Sequence, residues 1–412
     1  MSRTKLQSYF PRVLAAALTI FYTHSAFAQA RTHIPQKPAI TFKVLHSFTG
    51  LRDGCCILGG LARDGWGNLY GIAYLNNSLS GDGDLFKLTP TSRGYKFSVV
   101  LNFSASKGRE CQSTPAVDGS GNVFGVCVGG GGIDRGTLWE YSNTGKFRVL
   151  HEFGGPPDGM SPQDSVVLDH GGNIYGTAYT WGPGSSGTFW KYSLRSGLFK
   201  LLHGFTDGDD GGLLPAGPRL DEIGGLVWGT TEVGPNCYYC GQGTVWNYDL
   251  SSEKFTTVLD FSSSNILAPQ SRLSIGMKGN VIGTAFGTEG GRNNCGLVYE
   301  LQKDNSYMPA VLYQFTGQTG DGCYPFGRVR WDRQGHLLGT TYGGGTNGDG
   351  VVYELVQKNS RWQETILHSF DLTDGTRPQA GLVTDHKGNW FGTTASGGKY
   401  KNGTVFEISG VQ

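Results

Sequence analysis

One ten-residue stretch is written seven times in this chain. Its last copy is Asp385-His-Lys-Gly388-Asn389-Trp390-Phe391-Gly392-Thr393-Thr394, and earlier copies centre on Gly71, Gly125, Gly176, Gly229, Gly283 and Gly339. Successive glycines are 54, 51, 53, 54, 56 and 53 residues apart. Self-similarity at a period of about 50 residues restricts the chain to a solenoid, a propeller or an array, in which each unit buries its apolar face only against its neighbours.

A chain of 412 residues would ordinarily divide into several domains, but a repeat array of that length is one body. Glycine accounts for 67 residues, yet aromatics make up 12%, which a disordered glycine-rich chain lacks. The glycines therefore serve turns and close strand packing. No repeat shows apolar spacing of about 3.6 over a helical length, so the chain is all-β.

The first 28 residues differ from the rest. Arg3, Lys5 and Arg12 form a basic start, Val13 to Phe21 an apolar run, and Ala26-Phe27-Ala28 a small-residue cleavage signature. This is the pattern of a secretory signal peptide cut after Ala28. Residues 29–40 form a short polar leader, and 41–412 a single repeat domain. No other segment has the length and apolarity of a membrane span, and the sequence stops at Gln412 with no anchor or sorting tail. The full chain carries +1; losing Arg3, Lys5 and Arg12, with no acidic residue, leaves −2. A near-neutral mature protein is a poor match for nucleic acid or anionic membranes, which reward a basic face.

Each unit contains four strand-like runs. The first precedes an Asp turn, as in Gly60 to Asp64, Ser165 to Asp169, Gly327 to Asp332 and Gly381 to Asp385. An Asp-x-x-Gly-Asn hairpin follows, in which Asp bonds its own backbone and Gly and Asn tolerate positive φ. The second run carries the aromatic-Gly-Thr signature, where a mid-strand glycine marks a close approach or a bulge. The third is Gly-Thr-Val-Phe-like, and the fourth Val-Leu-His-x-Phe-like. The chain opens on a fourth-strand run (Phe42 to Phe48) and closes on a third-strand run (Gly403 to Ile408). Seven complete sets therefore require the opening strand to complete the last unit. The pattern predicts a seven-bladed β-propeller of four antiparallel strands per blade, closed by its N-terminal strand in a one-plus-three arrangement.

The run aromatic-Gly-Thr-Thr, a Gly-Gly loop, Gly-Thr-Val-Phe, Leu-x-x-Phe and Asp-Gly-x-x-Pro resembles the GloVer (Gloeo/Verruco) tandem repeat of secreted bacterial choice-of-anchor proteins. Residues 41–412 fit the pattern, best in the last two copies. The resemblance implies export and a propeller-like β array, and brings no activity and no catalytic residues. The chain differs from that pattern in lacking a C-terminal anchor, so surface attachment is not expected.

Three sets of residues invite a functional reading. Fourth-strand His46, His151, His203 and His368, with Asn102, Asp260 and Gln314 taken as their counterparts, are spread around a ring and cannot meet on one substrate. They are read as structural, bonding a neighbouring loop. Asp53, Asp158, Asp210, Asp321 and Asp374 each begin an Asp-Gly loop before a first strand. On one face of a propeller they would ring the mouth and present oxygen ligands, although Asp-Gly is also plain turn chemistry. Trp181, Tyr238, Tyr239 and Tyr342 lie between second and third strands, where aromatic rings offer platforms for sugars or side chains.

Eight cysteines behind an export signal imply disulfides. Cys237-x-x-Cys240 suits a local bridge, since no second Cys pair or His pair accompanies it as a zinc site requires. Cys295 and Cys323 fall in successive loops on one face and are placed to bridge. Cys55, Cys56, Cys111 and Cys127 allow three pairings. The Gly129–Gly132 run lacks the Lys-Ser/Thr and helix of a phosphate loop. No catalytic constellation, metal site or cofactor is nominated. The sequence thus describes a secreted binding or scaffold module whose loop face takes a cell-surface polysaccharide or protein. The rival is a carbohydrate-active lyase or hydrolase with two carboxylates at the channel mouth.

Overall fold

A computed structural model describes residues 39–75, 82–213, 216–233, 242–264, 266–269, 271–276, 278–288 and 294–411. The N-terminal leader, Cys237, Tyr238, Tyr239 and Cys240 lie outside the described residues. The repeats build a seven-bladed β-propeller, with no α-helix among the described residues.

Blade one runs Ala62–Arg63, Leu69–Ala73, Asp84–Thr91 and Gly94–Asn102, each strand antiparallel to the next. Blades two to six repeat this order, ending in fourth strands Phe147–Glu152, Leu198–Gly204, Lys254–Asp260, Met308–Gln314 and Arg361–Ser369. Blade seven takes Val383–Thr384, Trp390–Thr394 and Thr404–Ser409 from the end of the chain and Thr41–Ser47 from its start. Thr41 pairs with Ser409 and Ser47 with Thr404, so the two ends share a sheet and the ring is closed. Closure pairs strand edges that an open array would expose.

The mid-strand glycines find their reason across the ladder. Gly125 pairs with Trp139, Gly176 with Trp190, Gly229 with Trp246 and Gly339 with Tyr353, and the aromatic ring folds back over its glycine. A Cβ placed on Gly176 would stand 2.3 Å from the Trp190 ring, and one on Gly229 2.2 Å from Trp246. The close approach is thus made by a third-strand side chain rather than by a neighbouring backbone. Each ring is then pressed against the adjacent blade. Seven apolar clusters result, and each spans two consecutive blades, as where Phe48 and Phe86 meet Phe391 and Val405. The core lies between blades, which is why no single repeat can fold alone.

The fourth strand carries a one-residue bulge in every blade, skipping for example Leu202 between Leu201 and His203. A bulge bends its strand and re-aims the next side chain. The register also corrects one alignment. Leu101, Leu259 and Tyr313, not Asn102, Asp260 and Gln314, stand where the other blades have histidine.

Candidate functional site in the axial channel

The Asp-Gly loops and the fourth-strand histidines turn out to be two halves of one device. His46 Nε2 lies 3.0 Å from Asp53 Oδ2, His151 3.0 Å from Asp158, His203 2.9 Å from Asp210 and His368 2.8 Å from Asp374. A carboxylate has no proton to give, so the ring N–H donates. In blade five Tyr313 takes the histidine's place and its hydroxyl donates to Asp321 at 3.3 Å. The same carboxylates also accept from their own loops: Asp53 from the Thr49 N–H at 3.0 Å, Asp210 from Thr206 at 3.2 Å and Asp321 from Thr316 at 2.6 Å. The Asp158, Asp210 and Asp374 carbonyls accept from Thr188, Thr244 and Thr404, the threonines of the third-strand motif. The Asp-Gly signature is therefore engaged in latching each loop to its blade.

Burial lowers the pKa of His46 and His151 despite the facing carboxylates, keeping the rings neutral near neutral pH. Burial alone would raise Asp53, but hydrogen bonds from Thr49 and His46 bring it below the usual carboxylate range. Each latch histidine is also stacked: His46 on Phe97, His151 on Phe199, His203 on Phe255 and His368 on Phe42, with centroids 3.6–4.0 Å apart. In every case the phenylalanine belongs to the next blade, so the latch also joins neighbours.

Two of the loop aromatics are described. Trp181 is half exposed, with the Arg135 guanidinium 5.2 Å from its ring centre. Tyr342 has Arg377 over its ring at 5.6 Å and Phe326 against its edge. Both rise on the face where the loop before a first strand pairs with the loop after a second, as Met160 pairs with Thr180. On that face a disulfide joins Cys295 to Cys323; a second joins Cys111 to Cys127, leaving Cys55 and Cys56 as adjacent thiols.

The first strands line an axial cavity of about 1100 Å³. A strand alternates its faces, so residues two and four places before the turn Asp look toward the axis while the one between packs outward. Blades one, two, three and seven place small or apolar residues there, including Gly60, Ala62, Ala116, Val167 and Gly381. Blades four, five and six place Arg219, Arg272, Arg328 and Arg330. Four guanidinium groups thus gather on one arc of the wall, opposite an arc short enough to leave open space.

Three of these arginines bond neutral oxygens, two of them backbone carbonyls and one a serine hydroxyl. Arg272 donates to the Pro218 carbonyl at 3.1 Å, Arg328 to Ser274 Oγ at 3.0 Å, and Arg330 to the Leu382 carbonyl at 3.3 Å. Each bond crosses to an adjacent blade. None of the four makes an ion pair among the described residues, Arg219 makes no side-chain hydrogen bond among them, and the Nε groups of Arg219 and Arg272 are buried without an acceptor. Burial, then repulsion by Arg330, Arg219 and Arg272, drives Arg328 well below its usual pKa. Burial, then Arg219 and Arg272, brings Arg330 down to about 10. For Arg272 burial dominates, offset in part by Asp164. Guanidinium groups keep their protons even so. An anion within about 4 Å of such a charge would gain roughly 4 kcal/mol at an effective dielectric near 20.

Sequence reasoning passed over these residues because total charge is near zero. The signal was present in the first-strand column: only three consecutive repeats carry arginine at an axial position.

Fold and site together define a β-propeller with a cation-lined axial cavity. The chain belongs to the Gloeobacter/Verrucomicrobia repeat family, whose pattern matches residues 67–288 and 276–412. No curated protein matches the sequence. Among solved structures the chain is similar to an oligogalacturonate lyase in complex with manganese, at TM-score 0.54 and 10% identity over 90% of each chain. A Mycobacterium tuberculosis puromycin-hydrolyzing peptidase reaches TM-score 0.58 at 14% identity, over 86% of this chain and 51% of that one. PorZ, a surface component of the type-IX secretion system of Porphyromonas gingivalis, reaches 0.54 at 13%, over 84% and 46%. This chain thus spans about half the length of the peptidase and of PorZ. Identities this low carry the fold and nothing further.

Proposed function

We propose that the protein is an exported binding module that captures an acidic polysaccharide in its axial cavity, with the loop face around Trp181 and Tyr342 as the approach. The observation that carries this reading is the cluster of Arg219, Arg272, Arg328 and Arg330, none in an ion pair among the described residues, on one wall of an open cavity. A planar guanidinium binds carboxylate and sulfate groups in a two-pronged fork, which suits uronate or sulfated sugars. Exposed rings such as Trp181 add stacking surface for sugar faces. Export rests on the signal-peptide pattern before Ala28 and on two disulfides, which persist in oxidising compartments. No helix among the described residues is long and apolar enough to cross a membrane.

A lyase or hydrolase reading needs free carboxylates. Asp53, Asp158, Asp210, Asp321 and Asp374 are already bonded to histidine, tyrosine and threonine of their own blades, so binding is the better supported of the two. The test is an immobilised array of neutral, uronate-bearing and sulfated oligosaccharides probed with the mature chain, with each ligand then assayed for cleavage. Retention of acidic glycans alone, intact after incubation, is expected. Equal retention of neutral glycans, or release of cleaved product, overturns the reading.

A further inference from the structure

Blade six departs from its neighbours at the turn between its first two strands. In blades one, two, three and seven the turn Asp (Asp64, Asp118, Asp169, Asp385) accepts on Oδ2 from the side-chain amide of an Asn four residues on, at 2.6–2.8 Å. Blade six has His336 in place of that Asn. Its Asp332 still closes the turn with Oδ1, which accepts from the backbone N–H groups of Gln334 and His336 at 2.8 Å each. The turn therefore needs nothing from the imidazole.

What the imidazole does instead is meet two carboxylates. His336 Nδ1 is 2.9 Å from Glu354 Oε1 and 3.1 Å from Asp332 Oδ2. One ring nitrogen carries at most one proton, and the alignment directs it to Glu354. Asp332 Oδ2 is left buried without a hydrogen bond, on a side chain only 2% exposed. Neither acid has a Lys or Arg partner among the described residues. The corresponding acid of blade two, Glu140, does have one, receiving Arg148 at 2.6 Å, whereas the residue paired with Glu354 is Thr365. A buried carboxylate oxygen with no donor, beside a second carboxylate and an imidazole, lacks a cation.

We propose that Asp332, His336 and Glu354 form a divalent transition-metal site of the zinc type. Their three ligand atoms lie within 4.8 Å of one another. Zinc bonds of about 2.1 Å place tetrahedral ligands roughly 3.4 Å apart, so each carboxylate oxygen need move only a few tenths of an ångström from the imidazole nitrogen. Mixed imidazole and carboxylate ligands select a borderline ion over calcium, which takes oxygen alone. The two backbone N–H bonds to Asp332 Oδ1 hold the first ligand in place, and the metal displaces the Nδ1 proton to solvent. Sequence alone offered no such site, because a single His-for-Asn change in one repeat has no recognisable ligand spacing.

The repeat itself supplies the control. His336→Asn restores the residue that closes the same turn in four other blades, so the variant keeps its fold while losing a ligand. Chelator-treated full-length mature protein titrated with zinc chloride by calorimetry is expected to take up one equivalent at this site. His336→Asn and, independently, Glu354→Gln are each expected to weaken that uptake at least about tenfold and to abolish the zinc-dependent rise in melting temperature. The proposal fails if the wild type takes up no zinc, or if both variants bind and are stabilised as the wild type is.

Discussion

His368, on the outermost strand of blade six, lies flat on Phe42, with ring centroids 3.6 Å apart and planes 2° from parallel. Phe42 belongs to the strand that opens the folded chain and completes blade seven. The same ring meets Phe370 edge-on and stacks against Phe406. The contact that joins ordinary neighbours elsewhere in the ring therefore also fastens its two ends. Phe42→Ala is expected to cost about 2–4 kcal/mol, read as a lower urea midpoint. His368→Leu should cost less, because Leu101 and Leu259 already occupy that position in other blades. Equal midpoints for wild type and Phe42→Ala would mean the seam contributes nothing.

The glycine beneath each third-strand ring gives a second expectation. Gly176→Ala drives a methyl to within 2.3 Å of Trp190, which is fully buried and cannot swing away. A loss of about 1–3 kcal/mol should follow. Gly119, where an added methyl would meet nothing within 4 Å and φ is not positive, serves as the neutral comparison. Thermal melts of the two alanine variants should differ by several degrees, and coincident curves would remove the packing explanation.

Acid should weaken the histidine latches. The pKa of His46 and of His151 is lowered from 6.5 in the fold, so the unfolded chain binds more protons as pH drops. Their contribution is complete above about 6.5 and is lost as pH falls through the lower folded values. Asp53 and Asp210 are likewise depressed, and add a further loss below the ordinary carboxylate value of 3.8. The wild-type melting temperature minus that of a His46→Leu, His151→Leu double variant, which cancels every other titrating group, should shrink as pH falls below about 6.5. A difference that stays constant between pH 7 and pH 5 would contradict neutral His46 and His151.

At one interface the sign reverses. Tyr313 and Glu364 replace the histidine and phenylalanine between blades five and six. Burial, then the adjoining Asp321, pushes the Glu364 carboxyl up to about 9. The fold therefore holds a proton that the unfolded chain gives up near 4.5, and this contribution is lost as pH rises from about 4.5 through 9. Glu364→Gln removes the group, so its melting temperature minus that of the wild type should grow over that range. A difference independent of pH would show Glu364 to be ionised in the fold.

Much of the architecture was legible in the chain. The repeated glycine marked each second strand, and the one-plus-three phasing of the ends implied the closed ring that Thr41 and Ser409 complete. Histidine as a structural residue bonding a loop was also readable, because four copies around a ring cannot converge. Its partner was not readable, since only the register reveals the bulge beside His46, the ring that bonds Asp53. The arginine wall was harder still. Arg219, Arg272, Arg328 and Arg330 sit in or beside first strands as short as two or three residues, too brief for periodicity to separate axial from outward positions. Averaged charge hid them as well, because a total of +1 does not show where like charges gather.

Whether that wall receives an anion decides the function proposed for the cavity. Arg219→Gln with Arg330→Gln removes two like charges, and Arg219 makes no side-chain hydrogen bond among the described residues that would be lost. Without ligand the double variant should melt at or slightly above the wild-type temperature, by about 1–3 °C for a domain of this size. Calorimetric titration at fixed ionic strength with a uronate or sulfated oligosaccharide retained in the array should show its affinity reduced more than about tenfold, consistent with roughly 1.4 kcal/mol or more. A double variant that is less stable yet binds the acidic sugar as tightly as the wild type would show the arginines to be props of the channel wall, and the anion-binding account would be wrong.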